Sequence, residues 1–233
     1  MSRSIWCFPS INIVYLLMAV SRFLLVSLNI KSILGAGPTP DDRKNKLEEI
    51  GEGGGLDDAY MATLKRLKAQ EGYRSKLGMD VLMWVLYSER PLRAEELCHA
   101  LGVKIGYAAL NPPTLRTLLE SCQSLVTVEE SSSTVRFVHY TLQEYLTKNP
   151  TLFHSSHSSI AEVCLTYLDF RCLRDYSPTP DSPSPAMPLE EYAACYWVIH
   201  ARRGEVTKHV KELALRLLNR QGAQFGRQFV NPG

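Results

Sequence analysis

A mainly α fold, in which three helices and a two-stranded hairpin are flanked by further helical segments, follows from three observations on this chain. Apolar residues recur at helical spacing, as at Ile160, Val163, Cys164, Tyr167 and Leu168. Two short stretches, Leu125-Val126-Thr127-Val128 and Val135-Arg136-Phe137-Val138, read instead as strands, and in the second Val135 and Phe137 share one face with Arg136 on the other. That second stretch runs straight into a helix signal, Thr141-Leu142-Gln143-Glu144-Tyr145-Leu146, with His139 at the junction.

With 233 residues and 45% hydrophobic side chains, the chain can bury a real core in one or two domains. Its formal net charge of +2 comes from mixed acids and bases, so no polyanion partner is indicated globally. Six cysteines (Cys7, Cys98, Cys122, Cys164, Cys172 and Cys195) are scattered without close pairs. Such dispersal points to reduced core thiols and a cytoplasmic protein, since disulfide frameworks belong mainly to small secreted domains.

Residues 1–22 form an apolar N-terminus open to three readings. A signal peptide would use Arg3 and the run Ile11 to Val20, but no small-x-small cleavage site follows it. A membrane helix would place Arg22 near its middle, at a cost of a few kcal/mol, which disfavours an anchored protein. The third reading is a buried helix through Phe23–Ile30, the remnant of a larger domain upstream, with residues 23–72 as its end and linker.

Gly35 to Pro40 and Gly51 to Gly55 are breakers with a short charged helix between them. From Leu56 to Leu67 the residues Leu56, Tyr60, Leu64 and Leu67 make a helical stripe, and Asp57 and Asp58 suit the positive N-terminal end. Met79 to Tyr87 is apolar except at Asp80, as expected of a central buried helix that Arg90-Pro91 ends. Ala94 to Leu101 gives the next helix, with Leu97, Ala100 and Leu101 inward and Gly102 as its stop. Asn111 is placed to cap a third helix, with Pro112 at its first position and Leu115, Leu118, Leu119 and Cys122 along one face. A polar loop from Glu129 to Thr134 joins the two strands, and Thr141 with Glu144 fits a capping box for the helix after them. Three helices and a hairpin make a winged helix over residues 73–150.

Residues 151–220 form a helical extension. After the stripe at Ile160 to Leu168 comes a proline-rich loop, 177–188, then a helix over Leu189 to Arg202 with Tyr192, Tyr196 and Trp197 on one face. Val206, Val210, Leu213 and Leu217 mark a last helix, and residues 221–233 read as a tail. Beginning in mid-helix and stopping after an unpaired one, the chain has the pattern of a piece of something longer.

Many winged helices bind DNA, but the charge here argues against nucleic acid. Between residues 80 and 150 six bases face eight acids, a net of −2, and the candidate recognition helix Thr114 to Glu120 offers only Arg116. Hydrolysis and nucleotide turnover lack their motifs: no Gly-x-Ser-x-Gly elbow and no Gly-x-x-x-x-Gly-Lys-Ser/Thr loop occurs, so no enzyme is expected and no cofactor is predicted for this chain itself. His154-x-x-His157 with Cys164 and Cys172 is a loose zinc pattern, and helical periodicity already accounts for Cys164. His99 beside Cys98, and His200 near Cys195, read as packing or surface residues rather than a base and nucleophile.

Several segments together carry a family resemblance: Phe23-Leu24-Leu25 with Leu28; Leu82 to Leu101, including Arg90-Pro91-Leu92 and Glu95-Glu96-Leu97; Cys122 with Leu125-Val126; Val138 to Leu146; Cys164-Leu165-x-Tyr167-Leu168; and Tyr192-Ala193-Ala194-x-x-Trp197-x-x-His200. Residues of about 23 to 220 resemble the region that follows the NACHT nucleotide-binding domain in large fungal signalling ATPases of the STAND class, often ankyrin-repeat proteins. The winged helix resembles the GPI inositol-deacylase winged helix domain. One departure is Arg93, where a helix-capping Thr is more usual.

For the complete relatives the resemblance implies ATP or ADP, a NACHT domain and ankyrin or other repeats as partners in cis or in trans, and a winged helix that lies as a lid over the nucleotide. It also implies that His139 contacts the β-phosphate of ADP in the resting state, at the position of the Met-His-Asp motif of plant immune receptors; the neighbours here are Val138 and Tyr140. An imidazole can donate to a phosphate while the adjacent helix holds the ring. In the isolated chain, the alternative is a histidine that only bonds nearby backbone. The implied function is a non-catalytic regulatory and scaffold module, with a free-standing interaction module or a membrane-anchored protein as the alternatives.

Overall fold

The computed structural model describes residues 28, 30, 33, 34, 37–51, 55–105, 110–170 and 187–230. The stretch 1–22, most of the helix expected over Phe23–Ile30, and loop residues 177–186 lie outside them. The chain divides into two compact units, Met1–Arg66 and Leu67–Gly233.

In the first unit α1 spans Pro40–Gly51 and α2 begins at Leu56, ending at Lys68 just inside the second. A reciprocal cap starts α1: the Asp42 N–H donates to Thr39 Oγ1 at 3.2 Å and the Thr39 N–H to Asp42 Oδ2 at 3.2 Å. Along α2, Tyr60 and Leu64 are buried, as their spacing predicts.

The second unit opens with α3, Tyr73–Tyr87, which starts six residues earlier than the apolar run suggests. Leu77, Val81, Leu82 and Trp84 are buried, whereas Met79, Met83, Val85 and Leu86 are only half-buried, so the helix is central without being enclosed on every side. Gly78 explains how closely its neighbour approaches. A Cβ there would stand 2.5 Å from the carbonyl oxygen of Ser121 at the end of α5.

Helix α4 spans Ala94–Gly102 and α5 spans Leu115–Ser121. Two sequence expectations fail here. Gly102 does not stop α4 as a cap; it is the last helical residue, and a Cβ on it would meet Pro112 Cα at 2.6 Å. Nor does Asn111 cap α5. Its N–H bonds the Gly102 carbonyl at 2.9 Å, and Thr114 takes the cap by accepting the Thr117 N–H at 3.2 Å. The cause is Pro112-Pro113, since each proline bars helical backbone at the residue before it and so delays the start.

Strands β1 (Val126–Glu129) and β2 (Thr134–Phe137) pair antiparallel, with Val128 opposite Val135 and Thr127 opposite Arg136. Val135 is buried and Arg136 exposed, the predicted alternation. The hairpin gains a further contact from the segment before α4: Ala94 N–H bonds Ser133 O and Val135 N–H bonds Leu92 O, both at 2.9 Å. Helices α3 to α5 and this hairpin form the winged helix.

After it come α6 (Tyr140–Lys148), a single 3₁₀ turn, α7 (Ser156–Leu168), α8 (Glu190–Arg203) and α9 (Lys208–Val230). Ile160, Cys164 and Tyr167 are fully buried along α7. Trp197 of α8 packs on the cluster of Leu165, Val210 and Leu213, which joins α7 to α9. Helix α9 continues to Val230, well into the stretch 221–233 read as a tail. The winged helix and its extension thus lie in one compact unit.

Candidate functional site

The junction of β2 and α6 is built around His139. Its backbone is extended (φ −154°, ψ 148°), and the helix begins at the next residue. The ring Nδ1 accepts the Thr141 N–H at 3.3 Å and lies 2.8 Å from Thr141 Oγ1. Thr141 therefore does not open a capping box with Glu144. It sits at the second helical position, and Glu144 is exposed. The imidazole is the cap because the strand delivers residue 139, not 141, at the point where the backbone turns helical.

This geometry suits one tautomer. A nitrogen that accepts an amide hydrogen keeps its lone pair, so a neutral ring in this arrangement carries its proton on Nε2, and the threonine hydroxyl lies within hydrogen-bond distance of the same Nδ1. The half-buried ring lies against Tyr140, centroids 4.5 Å apart, in a cleft of about 510 Å³ that Arg90, Pro91, Arg136 and Gln143 also line. Both cations already have anions. Arg136 meets Glu129 at 2.8 Å, and Arg90 binds Glu96 through two 2.9 Å hydrogen bonds.

Glu96 is a buried carboxylate in the first turn of α4. It also accepts the Arg93 N–H at 2.8 Å and the Arg93 guanidinium at 3.2 Å. That is half of a capping box: arginine, where threonine is usual, has no acceptor for the third helical amide and contributes charge in its place. Burial alone would push the Glu96 carboxyl up, but the Arg90 hydrogen bonds, the Arg93 amide and both guanidinium charges outweigh it and hold the group below its ordinary value.

The other sequence candidates separate. His99 Nδ1 meets the Tyr167 hydroxyl at 3.0 Å, while burial pushes the neighbouring Cys98 thiol up, away from a thiolate. Cys122 is likewise pushed up to about 12 by burial. Of the loose zinc set, Cys164 is enclosed in the core and Cys172 lies outside the described residues. His157 pairs instead with His200, a partner that nothing in the local spacing signals. A wider cleft of about 790 Å³ is lined by Tyr73, Lys76, Trp84, Lys104 and His154, and its described lining holds a single imidazole and no thiol. No described helix is long and apolar enough to cross a membrane.

Residues 65–161 match the family described as GPI inositol-deacylase, winged helix domain. No curated protein and no solved structure matches the chain. The matched span takes in α3 to α5, the hairpin and α6, including His139 and the Arg90–Glu96 pair. Over residues 65–161 the chain is therefore similar to the winged helix domain of GPI inositol-deacylase.

Proposed function

We propose that this chain is a non-catalytic regulatory and scaffold module of a NACHT-type signalling ATPase, linking the nucleotide-binding domain to a repeat sensor and helping to hold the ADP-bound form closed. The supporting observation is the engagement of His139 Nδ1 by the Thr141 N–H. With Nδ1 engaged by Thr141, the ring keeps an Nε2–H donor whose direction is fixed by the helix it caps, and a donor of fixed direction suits a phosphate oxygen. The domain's surface charges favour a protein partner over nucleic acid. Arg116 is bound to Glu120 at 2.9 Å and Arg136 to Glu129, leaving little free cation to displace counterions from a phosphate backbone.

Without a phosphate-cradling loop of its own, the module would act on nucleotide held by its neighbour. The test is His139→Ala in an intact NACHT protein carrying this winged helix. Loss of bound ADP and spontaneous oligomerisation are expected; unchanged ADP retention and an unchanged oligomeric state would show the lid role to be wrong.

A further inference from the structure

Away from His139, three side chains converge from separate segments. Glu89 follows α3, His157 lies in the first turn of α7 and His200 near the end of α8. One ligand atom from each lies within 4.8 Å of the others. The two Nδ1 atoms face each other at 2.9 Å. We propose that Glu89, His157 and His200 form a binding site for a divalent transition metal, suited to zinc.

The donor set is two imidazoles and a carboxylate, the chemistry of three-ligand zinc sites that leave one position to water or a further ligand. A direct hydrogen bond between the rings requires one Nδ1 to carry a proton; metal binding requires both to be bare. The outer nitrogen of His200 is 2.9 Å from the Tyr192 hydroxyl, which already accepts the Glu89 N–H at 3.1 Å. A proton on that outer nitrogen makes His200 the donor to Tyr192 and leaves Nδ1 as a lone pair, the outer-partner arrangement typical of ligating histidines.

His200 is fully buried, whereas His157 and Glu89 are half-buried, so the site is rigid at its floor and reachable from solvent. Arg203 pairs with Glu89 and is more than half exposed. It can swing away, or keep one carboxylate oxygen while the other ligates. The bound ion would fasten the end of α3, part of the winged helix, to α7 and α8 of the extension.

The experiment uses the full, untagged chain, stripped with a chelator and titrated with Zn²⁺ and then Co²⁺. One equivalent should bind, with a rise in melting temperature and a cobalt spectrum lacking thiolate charge transfer. His157→Gln and Glu89→Gln, both at accessible positions, should each weaken binding at least about tenfold and leave the melting temperature of the stripped protein near that of the parent. His154→Gln should change nothing. Absence of binding, a thiolate band, or binding that survives both ligand substitutions would overturn the proposal.

Discussion

The Nδ1 atom of His139 accepts the backbone N–H of Thr141 at 3.3 Å, so an imidazole serves as the N-terminal cap of α6. The same bond that satisfies the helix end engages one ring nitrogen and leaves Nε2 as the other polar atom of the ring.

That bond separates two substitutions. His139→Ala removes the cap and should lower stability by about 1 kcal/mol, whereas asparagine, a good capping residue, should restore most of it. Urea denaturation of the three proteins measures the difference. Equal stability of the alanine and parent proteins would show that the imidazole contributes nothing as a cap.

Arg90 supports a buried charge. Arg90→Ala leaves Glu96 with Arg93 alone and also removes a guanidinium 5.3 Å from the Tyr192 ring centroid, so a loss of about 3 kcal/mol is expected. A thermal melt of the variant should show a drop of many degrees. An effect within about 0.5 kcal/mol, the range of ordinary surface substitutions, would contradict the account of Glu96.

The same carboxylate predicts an acid response. Its folded-state pKa is held below the ordinary value, so the stability it contributes is fully present above the unfolded value of about 4.5 and is lost as pH falls through the folded one. Glu96→Gln should therefore flatten the decline in unfolding free energy below pH 4.5 relative to the parent. A parallel decline in both proteins would place the acid sensitivity elsewhere.

Gly78 tests the close approach of α3 to α5. In an open helix, Gly→Ala stabilises by about 1 kcal/mol, but here the new methyl would lie 2.5 Å from the Ser121 carbonyl, a backbone atom that cannot swing aside. Gly78→Ala should destabilise by about 1–3 kcal/mol. A stabilised variant would mean that the helices are not packed this tightly.

What could be read in advance was local. The hairpin, its alternation and the stripes at Tyr60 to Leu67 and Ile160 to Tyr167 follow from periodicity, and they appear within a residue or so of where periodicity puts them. Caps were harder, because a cap is decided by where the backbone turns. Two consecutive prolines moved one from Asn111 to Thr114, and the end of β2 moved another from Thr141 to His139. The convergence of Glu89, His157 and His200 was invisible to spacing, since each lies on a different element and only the packing of α7 on α8 joins them.

The proposed lid role turns on the Nε2 proton of His139 and the phosphate it would meet. Its most direct test is the ADP dissociation rate of an intact NACHT protein carrying His139→Asn, which keeps the helix cap and removes the imidazole. ADP release at least about tenfold faster, with α6 intact, is expected, the equivalent of losing one charge-assisted hydrogen bond. A dissociation rate equal to that of the parent would contradict it.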